Sequence, residues 1–157
     1  GRQLDADRLR EGLASFAGVK RRFEFYLNTP QQVYMDDYAH HPRELAAALT
    51  SVRAMFPGRR ILALFQPHLE FAEALSHADE AIVLPIYPAR EEPIPGVGAE
   101  LIAERVAVPC RIVEREHLAE VVAAMETDVV VSFGAGNIDA CCEAIAGALA
   151  EKVRSKK

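Results

Sequence analysis

The sequence predicts an α/β fold, a three-layer sandwich with a mostly parallel sheet that opens on an antiparallel hairpin. Three observations carry that expectation. From Pro42 onward, short apolar runs alternate with segments of helical periodicity, the pattern of parallel strands joined by crossover helices. Ile61 to Phe65 is apolar without a break, as a strand covered on both faces requires. Before Pro42, two short strand-like runs flank Asn28-Thr29-Pro30-Gln31, residue types that favour a tight reversal.

Asp7 to Ala17 places Leu9, Leu13 and Phe16 at helical spacing. Arg22 to Leu27 alternates and reads as the first strand, with Val33 to Asp36 as its returning partner. Pro42 suits the first turn of a helix, and Leu45, Leu49, Val52 and Met55 keep one face apolar until Pro57-Gly58 stops it. After the strand Ile61 to Phe65 come a short helix Glu70 to His77, a strand Ala81 to Ile86, a helix Ala99 to Arg105 and a brief strand Arg111 to Val113. Helix Glu116 to Met125, strand Asp128 to Phe133 and helix Ile138 to Val153 complete the pattern. The one long irregular stretch is Tyr87 to Gly98, rich in Pro and Gly, and the chain has no internal repeat.

A chain of 157 residues fits one domain, residues 1–157, because single cores commonly serve roughly 100 to 200 residues. With 50% hydrophobic and 26% charged residues it can bury a core. A net charge of -5 argues against a nucleic-acid partner, which needs a basic face. Lys20-Arg21-Arg22 is the best local anion candidate, whereas the basic tail from Lys152 to Lys157 reads as a solvated terminus. Cys110, Cys141 and Cys142 neither pair evenly nor show metal spacing, so reduced, buried thiols of a cytoplasmic protein are expected. No apolar run approaches the roughly 18 to 20 residues of a spanning helix, and Gly1 to Asp5 lacks a signal-peptide pattern. No membrane partner is expected.

Ligands in open α/β sheets sit beyond the carboxyl ends of the strands, and three of those ends are chemically loaded. Asp36-Asp37-Tyr38-Ala39-His40-His41-Pro42 puts two acids, a phenol and two imidazoles into one turn. Gln66-Pro67-His68 follows the third strand and Gly134-Ala135-Gly136-Asn137 the last. Each also has a plain reading. Asp36 or Asp37 could accept hydrogen bonds from the turn, and His41 could cap the helix that starts at Pro42. His68 could be a satisfied structural histidine, and the glycines could serve close strand–helix packing instead of cradling a phosphate. His77 and His117, in predicted helices, read as surface residues.

Gly18-Val19-Lys20-Arg21-Arg22-Phe23-Glu24, Asp36 to Pro42, Phe65-Gln66-Pro67-His68, Tyr87-Pro88-Ala89 with Pro93-Ile94-Pro95-Gly96, and Gly134-Ala135-Gly136 with Ile138 together resemble the ordered landmarks of the Rossmann-like last domain of the Mur ligases. They are nearest to the branch that joins L-alanine to UDP-N-acetylmuramate. A branch that recycles a tripeptide onto the same sugar is similar, but usually has phenylalanine at the place of Tyr38 and lacks the Gln-Pro-His end. The resemblance implies a three-domain, ATP- and Mg2+-dependent ligase that phosphorylates the sugar-linked carboxylate, after which the amine attacks the acyl phosphate. It implies that Arg22 faces the ATP phosphates, that Asp37 accepts from the ribose hydroxyls with Tyr38 beside it, and that His40 and His68 lie near the amino acid and the acyl phosphate. No metal ligand is implied in this chain, the Mg2+ being bound mainly by the central domain.

Two departures qualify the resemblance. No Gly-x-x-x-x-Gly-Lys-Ser/Thr phosphate loop occurs, so the chain is expected to fold but not to ligate alone. Where the family carries a basic loop after Gln-Pro-His, Leu69-Glu70-Phe71 stands instead, and so short a strand-to-helix connection predicts an interruption between Leu69 and Glu70. Two other classes compete: a metal-dependent hydrolase using Asp36, Asp37, His40, His41 and His68, and a phosphoacceptor receiver module, which the absence of a lysine after Ser132-Phe133-Gly134 disfavours.

Overall fold

A computed structural model of the chain describes residues 5–15, 19–66, 71–85, 99–134 and 136–156. Helix α1 (Ala6–Ala14) precedes a hairpin of β1 (Glu24–Asn28) and β2 (Val33–Asp37), and α2 (Pro42–Met55) leads to β3 (Ile61–Phe65). There follow α3 (Ala72–Leu75), β4 (Glu80–Val83), α4 (Ala99–Ala103), β5 (Cys110–Ile112), α5 (Leu118–Ala124), β6 (Val129–Phe133) and α6 (Cys142–Ser155). The strands form one sheet in the order β1-β2-β6-β3-β4-β5. Among the described residues only β1 runs antiparallel to its neighbour, and every other pair is parallel. The expected three-layer α/β sandwich with a hairpin opening is the observed architecture.

Strands β2, β3 and β6 are buried at every residue, which is why their apolar runs do not alternate. Val33, Met35, Ile61, Ala63, Phe65, Val129, Val131 and Phe133 point to one face and meet Leu45, Leu49 and Val52 of α2, with α3 and α4 alongside. Tyr34, Leu62, Leu64 and Val130 point the other way and meet Leu118 and Val122 of α5 and Ile145 and Leu149 of α6. At roughly 1.5 to 3 kcal/mol for each large apolar side chain taken out of water, these two cores hold the layers together.

The elements fall where the periodicity puts them, with differences at their ends. Strand β4 starts one residue early, with Glu80 in register with Leu62 of β3 and its buried carboxylate paired with Arg60. The last two helices each begin with a separate 3-10 turn, Arg115–His117 and Asn137–Cys141. His77 and His117 are exposed, as expected. Tyr87 to Gly98 and the junction of Leu69 with Glu70 lie outside the described residues. Among the described residues no helix is long and apolar enough to cross a membrane.

Candidate functional site

The central strands β2, β6 and β3 end level with one another: Asp37 is in register with Phe133, and Phe133 with Phe65. The strand ends that the three loaded segments follow therefore lie side by side at the carboxyl edge of the sheet, where parallel sheets present their ligand sites.

The first of them is fixed by an unusual turn. Arg21 and Phe23 have φ of 56° and 46°, left-handed values that cost non-glycine residues on the order of 1–3 kcal/mol each. Three hydrogen bonds hold them there. Phe23 N–H donates to Asp37 Oδ2 (3.1 Å), Tyr38 N–H donates to the Arg21 carbonyl (2.7 Å), and Arg21 N–H donates to Glu24 Oε2 (2.9 Å). Arg22, between the two left-handed residues, thus has a fixed backbone and a free head. Its side chain is 53% exposed and its nearest anion, Asp37 Oδ1, is 3.9 Å away.

Asp37 itself is buried, and its second oxygen accepts from Ala39 N–H (2.9 Å). The plain reading of this acid is therefore realised, yet a carboxylate offers about four lone-pair sites, so acceptor capacity remains. Tyr38 is 37% exposed, with the Arg21 and Arg22 guanidinium carbons 5.2 and 6.0 Å from its ring centre and the His40 ring 5.0 Å away. His40 Nδ1 lies 3.1 Å from the Tyr38 carbonyl; a neutral ring that donates there keeps Nε2 as its basic nitrogen. His40 N–H donates to Glu44 Oε2 (3.2 Å), the main cause that lowers the Glu44 carboxyl pKa from its ordinary value. His41 caps α2, accepting from Arg43 N–H through Nδ1 (3.3 Å), as one reading of the sequence expected.

Arg22, in the turn before β1, is thus brought together with Asp37, Tyr38 and His40 at the end of β2, because the hairpin sets Glu24 opposite Asp36. His68 lies outside the described residues. Gln66, two residues before it, donates from Nε2 to Asn137 Oδ1 (3.2 Å) and so joins the end of β3 to the turn after β6. Gly134 sits at φ 133°, a backbone conformation that favours glycine, and a Cβ on Gly136 would come within 2.2 Å of Gln66 Oε1, so the amide end of Gln66 would have to move.

Sequence reasoning missed the polar chain beneath the site. Arg21, read only as part of a basic cluster, turns inward. Its Nε donates to Asp36 Oδ2 (2.9 Å), its Nη2 donates to the Gly134 carbonyl, and its Nη1 lies 3.6 Å from Asp139. Burial weakens the guanidinium's charge, but the hydrogen bond and charge of Asp36 outweigh that and raise its pKa. Asp36 also accepts from Ser132 Oγ (2.6 Å), and the Tyr34 hydroxyl lies 3.1 Å from Ser132 Oγ and 3.2 Å from Cys142 Sγ. Burial pushes both Tyr34 and Cys142 up, so the two stay protonated at neutral pH. A serine inside the apolar run Asp128 to Phe133 was the available signal, since a buried hydroxyl needs a partner.

The pleat also separates the acidic pair. Asp36 points with Tyr34 toward α6, and Asp37 points to the other face, so the two carboxylates do not converge as a hydrolase metal cluster would need. Among the described residues no three His, Cys, Asp or Glu side chains form a metal-ligand group.

Fold and site together define a three-layer α/β domain that gathers basic, acidic and aromatic groups at the carboxyl edge of its central strands. Residues 21–136 match the family model of the Mur ligase, glutamate ligase domain, and the chain belongs to that family. It is 46% identical over 156 residues to the UDP-N-acetylmuramate–L-alanine ligase of Parabacteroides distasonis, covering 93% of this chain and 34% of that protein. The crystal structure of the UDP-N-acetylmuramate-alanine ligase of Thermotoga maritima superposes with a TM-score of 0.74 at 29% identity, over 98% of this chain and 34% of that one. A murein peptide ligase from Psychrobacter arcticus shares the fold, with a TM-score of 0.67 at 20% identity over 88% of this chain and 32% of its own. The chain spans about a third of the length of the curated relatives it matches.

Proposed function

We propose that this chain is one domain, the last of three, of a cytoplasmic ATP- and Mg2+-dependent ligase that joins L-alanine to UDP-N-acetylmuramate during peptidoglycan synthesis. The observation that carries the reading is the convergence of Arg22, Asp37, Tyr38 and His40 at the end of β2, level with the ends of β6 and β3. The names of the relatives at 46% and 38% identity supply the reaction. ATP would supply the phosphoryl group that activates the sugar's carboxylate as an acyl phosphate.

The residues fit a nucleotide. Arg22 has a fixed backbone and an exposed, loosely paired guanidinium, able to offset charge on phosphate oxygens with a planar fork. Asp37 keeps lone pairs for ribose hydroxyls, and the half-open Tyr38 ring lies beside it. His40, through Nε2, can exchange a proton with the incoming amine, and the family resemblance assigns His68 to the same amino-acid and acyl-phosphate region. Mg2+ is assigned mainly to the central domain, as the family resemblance implies. The reduced cysteines Cys110, Cys141 and Cys142 suit the cytoplasm.

The test uses the full-length protein. With UDP-N-acetylmuramate, ATP and alanine, Arg22→Ala, His40→Ala and His68→Ala should each lower kcat by on the order of 10²-fold with folding intact, as loss of one preorganised group typically does. Normal kcat in all three would overturn the site assignment. Turnover with tripeptide in place of alanine would move the protein to the recycling branch.

A further inference from the structure

We propose that Arg21 is a positioning residue, which holds Arg22 toward the nucleotide by tying its turn to the ends of β2 and β6 at once. The inference rests on the reading of Arg22 as the phosphate-facing group.

Three consecutive residues, Lys20, Arg21 and Arg22, read as one anion-binding cluster in the sequence, but they have different fates. Lys20 is exposed. The Arg22 side chain is 53% exposed with its one carboxylate partner 3.9 Å away, whereas Arg21 is 18% exposed and directs its donors to three separate pieces of the fold. One is Asp36, the wholly buried carboxylate of β2. Another is the Gly134 carbonyl, just past the end of β6. The last is Asp139, in the 3-10 turn that leads into α6. A phosphate would have to compete with Asp36 for this guanidinium, so Arg21 is not itself an anion ligand.

Its main-chain atoms complete the connection, since its carbonyl accepts from Tyr38 N–H and its own N–H donates to Glu24. Arg22 follows directly and Phe23 is left-handed again. A strained turn persists only when its surroundings over-determine it. With the Arg21 side chain removed, the link from this turn to β6 and Asp139 is gone and Arg22 can drift. Displacements of about 1 Å at a reacting centre can cost 10²-fold in rate. A lysine cannot replace the fork, because one ammonium is a point charge that does not reach Asp36 and Gly134 in the same geometry.

The experiment is a double-mutant cycle in the full-length enzyme, read as kcat and as KM for the UDP-sugar. Arg21→Lys keeps a cation beside Asp36 and should stay folded, yet lose about 10-fold or more in kcat with the sugar KM unchanged. Arg22→Ala should lose about 10²-fold, and the double variant should fall no further than Arg22→Ala alone, within about threefold, because Arg21 acts through Arg22. Wild-type kcat in Arg21→Lys, or a double variant in which the two losses multiply, would overturn the proposal. Should Arg21→Lys not fold, Asp139→Asn loosens only the half-exposed arm and takes its place in the cycle. A normal kcat in Arg22→Ala removes the assignment of Arg22 and this inference with it. A low kcat there beside a normal one in Arg21→Lys removes this inference alone.

Discussion

Replacing Ser132 by alanine should destabilise the domain by about 2 kcal/mol, although the change removes a single oxygen atom. Ser132 and Asp36 are both fully buried, and the bond between them is 2.6 Å long. Hydrogen bonds to ionised groups contribute about 1.5–3 kcal/mol, and the larger cost falls on the partner left unsatisfied. After the substitution Asp36 keeps Arg21, and Tyr34 keeps Cys142 at 3.2 Å, which places the loss near the middle of that range. For a domain of this size each kcal/mol moves Tm by roughly 2–4 °C, so a fall of about 4–8 °C is expected by circular dichroism. Urea melts should show a lower midpoint with an unchanged slope, because no new surface is exposed. Tyr34→Phe is the internal control. It leaves the Ser132–Asp36 bond in place and should cost about 1 kcal/mol, less than Ser132→Ala. A loss under about 0.5 kcal/mol for Ser132→Ala, or the reverse order of the two variants, would show that Arg21 alone satisfies Asp36 and that the chain to Cys142 contributes nothing.

Other expectations follow from the same geometry. The 157-residue chain should melt cooperatively yet release no phosphate from ATP with UDP-N-acetylmuramate and alanine; turnover by it alone would contradict its assignment as one part of the catalytic unit. His41→Ala removes the α2 cap and should cost about 0.5–2 kcal/mol, read as a lower Tm. At pH 8 the native thiols Cys141 and Cys142 should alkylate far more slowly than free cysteine, because burial raises both pKa values and so lowers the thiolate fraction; rates equal to those in urea would show that they are accessible. The Glu44 pKa is lowered by the His40 N–H, so its contribution is present above the ordinary carboxylate pKa and is lost as pH falls through the lower folded value. Glu44→Gln should therefore flatten the decline of Tm on the acid side of that range, and identical acid limbs in the two proteins would remove the linkage.

The layers were legible because the signal that defines them is local. Runs such as Ile61 to Phe65 and Asp128 to Phe133 cannot be covered by one helix layer, so their apolarity on both faces already implies helices above and below. The ends were less legible because they are set by side chains from elsewhere in the chain. Glu80 is buried at the start of β4 with Arg60, distant in the sequence, as its ion-pair partner. The 3-10 turns before α5 and α6 leave the apolar periodicity of those helices almost unchanged, so periodicity could not reveal them.

The site was legible as a location and less so as a set of roles, and the reason lies in the two-residue period of a strand. Asp36 and Asp37 are neighbours in the sequence, yet the pleat sends them to opposite faces of the sheet. Asp36 joins Arg21 and Ser132, whose partners are distant in the chain, whereas Asp37 stays beside Arg22 and Tyr38 and holds the turn that carries them. Read as composition, two acids and two histidines in seven residues suggest a metal cluster. Read with the period, the two buried acids take opposite faces, Asp36 toward the polar chain beneath the site and Asp37 toward the turn that carries Arg22. The division of Arg21 from Arg22 has no such local signal, since it follows from left-handed backbone at Arg21 and Phe23, which nothing in Lys20-Arg21-Arg22-Phe23 announces. That is why the residue proposed to set the position of Arg22 could be found only once the acceptors on β2 and β6 were in place around it.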